Sequence, residues 1–156
     1  VPEAPMTDAP IFAPPASEPG TRRVRRTPSV DDDLRLREAA GASAYPREAA
    51  ERGLPSSLIA GVVELDAPGA RAVGMGRVVG DGGLHAQATD IAVEPEFQGR
   101  GPGQAIMSAP MTAARAELSA DLPLNLIADL PADRRHARHG VAPTAPRSIA
   151  MAQRPA

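Results

Sequence analysis

Lysine, cysteine and tryptophan are all missing from this 156-residue chain, and its aromatic residues are Phe12, Tyr45 and Phe97 alone. Without cysteine there is no disulfide framework, no thiolate nucleophile and no cysteine zinc site, and a reducing cytoplasm fits. Without lysine there is no phosphate loop of the Gly-Lys-Ser/Thr kind. The net charge of −2 leaves no basic excess to neutralise a phosphate backbone, so nucleic acid is not expected as a partner. No apolar run reaches the ~18 residues of a membrane span, so no membrane partner is expected either. The first residues lack the basic start and apolar stretch of a secretory signal.

Alanine and arginine are abundant instead, with 17 arginines in the chain. A core short of aromatics must be built from Val, Leu, Ile, Met and Ala, which a chain of this size can do, since ~150 residues bury roughly two-thirds of their unfolded surface. The arginine and alanine bias reads as a compositional pressure on the whole gene, which gives individual arginines little functional weight.

Residues 1–20 are rich in proline and alanine without a period, as expected of a disordered or extended tail. The remainder, 21–156, reads as one domain. A first strand is expected over 21–26. Ser29 followed by Asp31, Asp32 and Asp33 is a helix start: the serine hydroxyl caps a free amide, Asp32 bonds back, and the acidic run suits the positive helix end. That helix runs to about Ala40. A second covers Pro46–Arg52 and ends at Gly53. Strands follow at 58–65, 71–79 and 84–93, separated by Pro-Gly and Gly-rich turns. In the third, apolar residues stand at 84, 86 and 88 and then at 91 and 93. A slip of one residue exchanges the faces of a strand, and a β-bulge near Thr89-Asp90 would absorb it. A helix over 103–118 presents Met107, Met111, Ala114 and Leu118 on one stripe, with a kink at Pro110. A short strand at 124–128, a helix from Asp129 to Gly140 and a terminal hairpin over 141–151 complete the order.

The chemistry concentrates where the third strand ends. Gln98-Gly99-Arg100-Gly101-Pro102-Gly103 places glycines at alternate positions just before a helix. Glycine lets backbone approach a ligand closely, and free amides at a helix start bind anions. A dinucleotide-binding Gly-x-Gly-x-x-Gly fails, because Ile106 stands where the third glycine would be. The pattern Gln/Arg-x-x-Gly-x-Gly/Ala is matched in full. On these residues, within DIAVEPEFQGRGPGQAIM (Asp90–Met107), the chain resembles the GNAT superfamily, the acetyl-CoA-dependent N-acetyltransferases. The order of elements from about Arg22 to Met151 is that family's order, and RHARHGVAPTA (Arg135–Ala145) resembles its usual ending.

The resemblance implies an α/β (α+β) fold, with helices flanking a mixed, mainly antiparallel central sheet. It implies acetyl transfer from acetyl-CoA, as co-substrate, to a primary amine of a small-molecule or peptide acceptor in a ternary complex. The backbone of Ile91, Ala92 and Val93 would pair with the pantetheine arm, and the bulge would free an amide, that of Ile91, to polarise the thioester carbonyl. Gln98, Gly99, Arg100, Gly101, Gly103 and Gln104 would form the pyrophosphate loop, with Pro102 contributing no N–H. Asn125 would bond the pantetheine amide; otherwise it is an ordinary strand asparagine. His136 stands where the family often has a tyrosine that protonates the leaving thiolate, a role imidazole can fill; its alternative is an exposed helical histidine. For the base, Asp90 at the bulge, Glu94 and Glu64 are the candidates. His136 and His139 are only a pair and His85 lies elsewhere, so no metal is expected. A homodimer is compatible with this reading. The rival is a non-catalytic acyl-CoA-binding or regulatory GNAT-like protein.

Overall fold

The computed structural model describes residues 20–99, 106, 110, 112–118, 121–128, 136–137 and 141–151. The expected tail, apart from Gly20, lies outside them, as does most of the helix expected over 129–140.

Among the described residues, five strands form one sheet in sequence order: β1 (Thr21–Val24), β2 (Ile59–Leu65), β3 (Ala72–Gly80), β4 (Ala86–Val93) and β5 (Leu124–Leu126). All neighbours are antiparallel except β4 and β5, which run parallel. The expected mixed, mainly antiparallel sheet is therefore present. Helices α1 (Val30–Ala39) and α2 (Arg47–Gly53) lie between β1 and β2 in the chain. Leu36 of α1 packs with Val62, Met75 and Ala92 on one face of the sheet. On the other face, helical Ile106 packs with Val63, Val73 and Val93, and helical Ala114 packs with Ile59, Val78 and Ala86. Pro110 is helical and buried between them; Met107 and Met111 lie outside the described residues.

Ser29 caps α1 as expected, accepting the Asp32 amide at 3.1 Å. Asp32 bonds back as expected, accepting the serine hydroxyl at 3.0 Å. Gly53 does not end α2 with a left-handed turn. Its φ is −84° and the chain tightens into a 3₁₀ turn at Leu54–Ser56, anchored by buried Leu54. β1 stops at Val24, short of the expected Arg26, and Arg25 and Arg26 beyond it pair with Glu117 and Glu64.

The expected terminal hairpin does not form. Residues 141–151 contain a turn at 145–147 and no strand, and Ile149 and Met151 stay exposed. Pro143 and Pro146 offer no N–H to a ladder, and Thr144 and Ser148 bond each other instead. Among the described residues, no helix is long and apolar enough to cross a membrane.

Candidate functional site

β4 is paired on both sides only at its start. Ala86, Gln87 and Ala88 face Leu124, Asn125 and Leu126; beyond Ala88 the register with β5 stops, while pairing with β3 continues to Val93. The β5 side of β4 therefore carries no strand from Thr89 onward among the described residues. The bulge lies in this stretch. Met75 and Arg77 are two residues apart on β3, but their partners Ala92 and Thr89 are three apart on β4. The extra residue is absorbed at Asp90, whose φ is 51°. Its consequence is the one read from the pattern. Ala86 faces Ala114, and after the bulge Ile91 and Val93 still face the same helical side, packing around Ile106.

The loop that follows is braced to the strand. The Glu94 amide donates to Val73 O at 2.9 Å, Pro95–Phe97 form a 3₁₀ turn, and Gln98 Nε2 donates to Val93 O at 2.8 Å. Gly99 then takes φ +72°, a left-handed conformation that suits glycine. Arg100, Gly101, Gly103 and Gln104 lie outside the described residues. The chain returns at buried Ile106, which sits on two glycines of β3. A Cβ at Gly74 would lie 3.0 Å from Ile106 Cγ1, and one at Gly76 would lie 3.3 Å from Ile106 O. These glycines let the helical segment approach the sheet, and so set where the glycine loop must end. Sequence reasoning passed over them; two glycines at alternate positions of a buried strand were the available signal.

Asn125 lies opposite Gln87, within the paired stretch, with its side-chain nitrogen 3.5 Å from His85 Nε2. His136 is helical and half-buried.

The three acids considered as bases share one environment: each is nearly buried and held by two arginines. Glu64 lies 3.2 Å from Arg22 and 2.6 Å from Arg26. Glu94 Oε1 accepts from both Arg35 and Arg71, and Arg35 also donates to Ala72 O at 2.6 Å. Asp90 accepts from Arg37 on one oxygen and Arg77 on the other, each at 2.5 Å. Reading the arginines as compositional background missed all six of these partners.

A fourth acid differs. Asp33 is fully buried beside Leu36, and its Oδ2 accepts the Tyr45 hydroxyl while Oδ1 has no hydrogen-bond partner. Burial pushes its carboxyl above the usual range, against the opposing pull of the Tyr45 bond. Burial and the same bond push the Tyr45 hydroxyl up as well. Asp33 thus holds its proton more tightly in the folded chain than in the unfolded one. Its contribution to stability is complete below the ordinary carboxyl pKa and is lost as pH rises through the raised folded value. Asp33→Asn cannot ionise and keeps an acceptor for Tyr45. Melting temperatures of both proteins between pH ~4 and ~8 should therefore shift in favour of the variant as pH rises. A difference that is constant across that range would count against the burial argument.

A cavity of about 320 Å³ opens between β1, β2 and the helical residues, lined by Val24, Ile59, Ile106 and Pro110 among others. It lies on the β1–β2 side of the sheet.

Comparison with known proteins fits this geometry. No protein-family model matches the chain, and no curated protein shows significant similarity to it. Solved structures do. A probable acetyltransferase of methicillin-resistant Staphylococcus aureus, itself of unknown function, is 37% identical, with a TM-score of 0.78 over 86% of this chain and 98% of that one. A GNAT-family protein of Xanthomonas campestris is 26% identical, with a TM-score of 0.70 over 89% and 96%. A Mycobacterium tuberculosis protein solved in complex with CoA shares the fold at 20% identity and a TM-score of 0.56, over 75% and 70%. With its bulged β4, the β4–β5 pairing that stops at Ala88 and Gln98 bonded back to the strand, the chain belongs to the GNAT superfamily.

Proposed function

We propose that this protein transfers acetyl from acetyl-CoA to a primary amine of a small-molecule or peptide acceptor by direct attack in a ternary complex. The observation that carries the reading is that side of β4 which, among the described residues, is unpaired beyond Ala88 and leads through a bulge straight into the Gln98–Gly103 segment. That arrangement fits the donor. An extended arm can add along β4 at Ile91–Val93 much as a strand would, and the loop begins with a glycine already in the left-handed conformation. The CoA complex of the Mycobacterium tuberculosis protein supports an acyl-CoA donor.

When bound, acetyl-CoA supplies a thioester carbonyl open to attack by the amine. The chain's groups divide the remaining work. The backbone of Ile91, Ala92 and Val93 orients the pantetheine arm, and the Ile91 amide polarises the carbonyl as charge builds on its oxygen. Amides of Gly99, Gly101, Gly103 and Gln104, with the Arg100 side chain, hold the pyrophosphate. Gln98 shapes the loop through its bond to Val93 O. Asn125 meets the pantetheine amide. His136 gives a proton to the departing thiolate sulfur. The acceptor's ammonium proton, and the proton its nitrogen sheds as the amide forms, pass to solvent, and holding the neutral amine against the carbonyl supplies much of the rate.

Acetyl-CoA at ~100 times its dissociation constant should stabilise the fold by about 2.7 kcal/mol. In a chain of this size that is a rise of roughly 5–10 °C in Tm. NAD and ATP should do far less, and equal shifts with all three would reject the donor. Release of CoA thiol with a panel of aminoglycosides, polyamines, amino acids and peptides then tests turnover. His136→Ala is expected to lower turnover by roughly 10²–10⁴-fold with little change in acetyl-CoA affinity. An unchanged rate would leave the thiolate to depart unaided.

A second reading, an acyl-CoA-binding protein without catalysis, draws on one observation: Glu64, Glu94 and Asp90 are all engaged by arginines. Acetyl-CoA binding without thiol release for any amine would decide for it.

A further inference from the structure

Asp90 connects more of the molecule than its place in a bulge requires. It is a non-glycine residue at φ 51°, and its carboxylate is one-tenth exposed. Oδ1 accepts from Arg37 of α1 and Oδ2 accepts from Nε of Arg77 of β3. Each arginine reaches further. Arg37 donates from Nε and from a terminal nitrogen to Ser43 O, at 3.0 and 2.5 Å, and its guanidinium lies 4.1 Å from the centre of the Tyr45 ring. Arg77 donates to Gly53 O at the end of α2 at 3.2 Å. One carboxylate thus ties the bulge of β4 to α1, to the segment joining α1 and α2, to the end of α2 and to β3. A left-handed residue outside glycine persists only where its surroundings hold it there, and two charge-assisted bonds in a nearly buried site do so. The backbone turned by this residue is that of Ile91.

We propose that Arg37 and Arg77 are positioning residues for the transfer reaction, and that they act through Asp90, gripping its two oxygens so that the bulge keeps the Ile91 amide directed along the unpaired side of β4. The proposal rests on the function proposed above. It gives Asp90 a role distinct from proton acceptance, that of holding the bulge. It also makes the α1–α2 connection part of the active-site frame: whatever moves Ser43 or the end of α2 moves the bulge.

The test uses the full-length chain with Arg37→Met, Arg77→Met, Arg77→Lys, Asp90→Asn and Asp90→Gly. In Arg77→Met and Arg37→Met, kcat should fall by ~10-fold or more, since small misplacements of reacting groups are costly, while the acetyl-CoA dissociation constant moves by less than about threefold. Arg77→Lys should recover part of kcat, because it restores a charge beside Asp90. Glycine and asparagine both tolerate a left-handed φ, so Asp90→Gly and Asp90→Asn separate the grip from the backbone conformation; both should lose kcat despite that tolerance. The acidic limb of the kcat/KM pH profile should survive in Asp90→Asn. Its disappearance would make Asp90 the base and overturn the proposal. Backbone amide NMR gives a readout independent of turnover: resonances of Ile91–Val93 should shift or broaden in both methionine variants. If wild-type protein turns over no amine, the proposed function fails, yet the NMR comparison still decides the grip. Unchanged Ile91–Val93 resonances in folded Arg37→Met and Arg77→Met would reject it, and so would an unchanged kcat.

Discussion

Gly101→Asp is expected to abolish acetyl-CoA binding in a protein that remains folded. The reason begins at the strand. Gln98 fastens the loop to Val93 O, and Gly99 turns it with φ +72°, so the chain leaves β4 with its direction already set. Ile106 is seated on Gly74 and Gly76, which sets where the loop rejoins the sheet. Residues 100–105 must span the interval, and Gly101 is the central one of three alternating glycines. The proposed function needs the Gly101 amide turned to the pyrophosphate and its Cα against it, so any side chain would take ligand space and a carboxylate would add charge repulsion. Folding should change little, because surface substitutions outside strained positions cost within ~0.5 kcal/mol. If Gly101 also needs a positive φ, strain adds about 1–2 kcal/mol. Gly101→Ala carries the Cβ without the charge, so it isolates that part. Calorimetry decides the matter: acetyl-CoA bound with wild-type affinity by folded Gly101→Asp would remove this loop as the donor site, and most of the functional reading with it.

What was legible in advance depended on how local the cause is. The bulge could be read because a change of parity between Ala88 and Ile91 is written in consecutive residues, and burial on one helical side is the only force needed to interpret it. The cap at Ser29 is local in the same way. The arginine grips are not. Arg37 and Asp90 are separated by 53 positions, and Arg35 and Glu94 by 59, so no period or spacing links them until the sheet and α1 come together. Seventeen arginines in the chain hid the six that hold Glu64, Glu94 and Asp90. Asp33 was half legible. It was assigned to the helix start together with Asp31 and Asp32, but it stands three residues before Leu36, on the stripe that α1 turns inward, and that spacing already argued for burial. The terminal hairpin failed for a reason also visible in the sequence: Pro143 and Pro146 remove ladder donors from the segment expected to form it.

The largest effect on stability is expected at Gly80, where β3 ends and the chain turns toward β4. Its φ is +151°, and an added Cβ would lie 2.1 Å from His85 O and 2.9 Å from Ala86 Cα. Both are backbone atoms, so no side-chain rotation relieves the overlap; the turn itself must open. That turn is closely bonded. Asp81 Oδ1 accepts the amides of Gly83, Leu84 and His85 at 2.9, 2.8 and 3.0 Å, and the Asp81 amide donates to His85 O at 3.1 Å. The amides of Gly83, His85 and Leu84 hold the Asp81 carboxyl down at about 2. Opening the turn would break this set and loosen the pairing of Gly80 with Ala86, which begins the register of β4. A slip there would displace the bulge and Ile91 together. Gly80→Ala should cost roughly 2–5 kcal/mol, combining overpacking with backbone strain. At about 2–4 °C per kcal/mol, Tm should fall by roughly 5–20 °C. Gly83→Ala, in the same turn, meets no atom within 4 Å and needs no unusual φ, so it should stay within ~0.5 kcal/mol of wild type. Thermal unfolding of the two variants side by side checks the contrast, and equal melting temperatures would refute the steric argument.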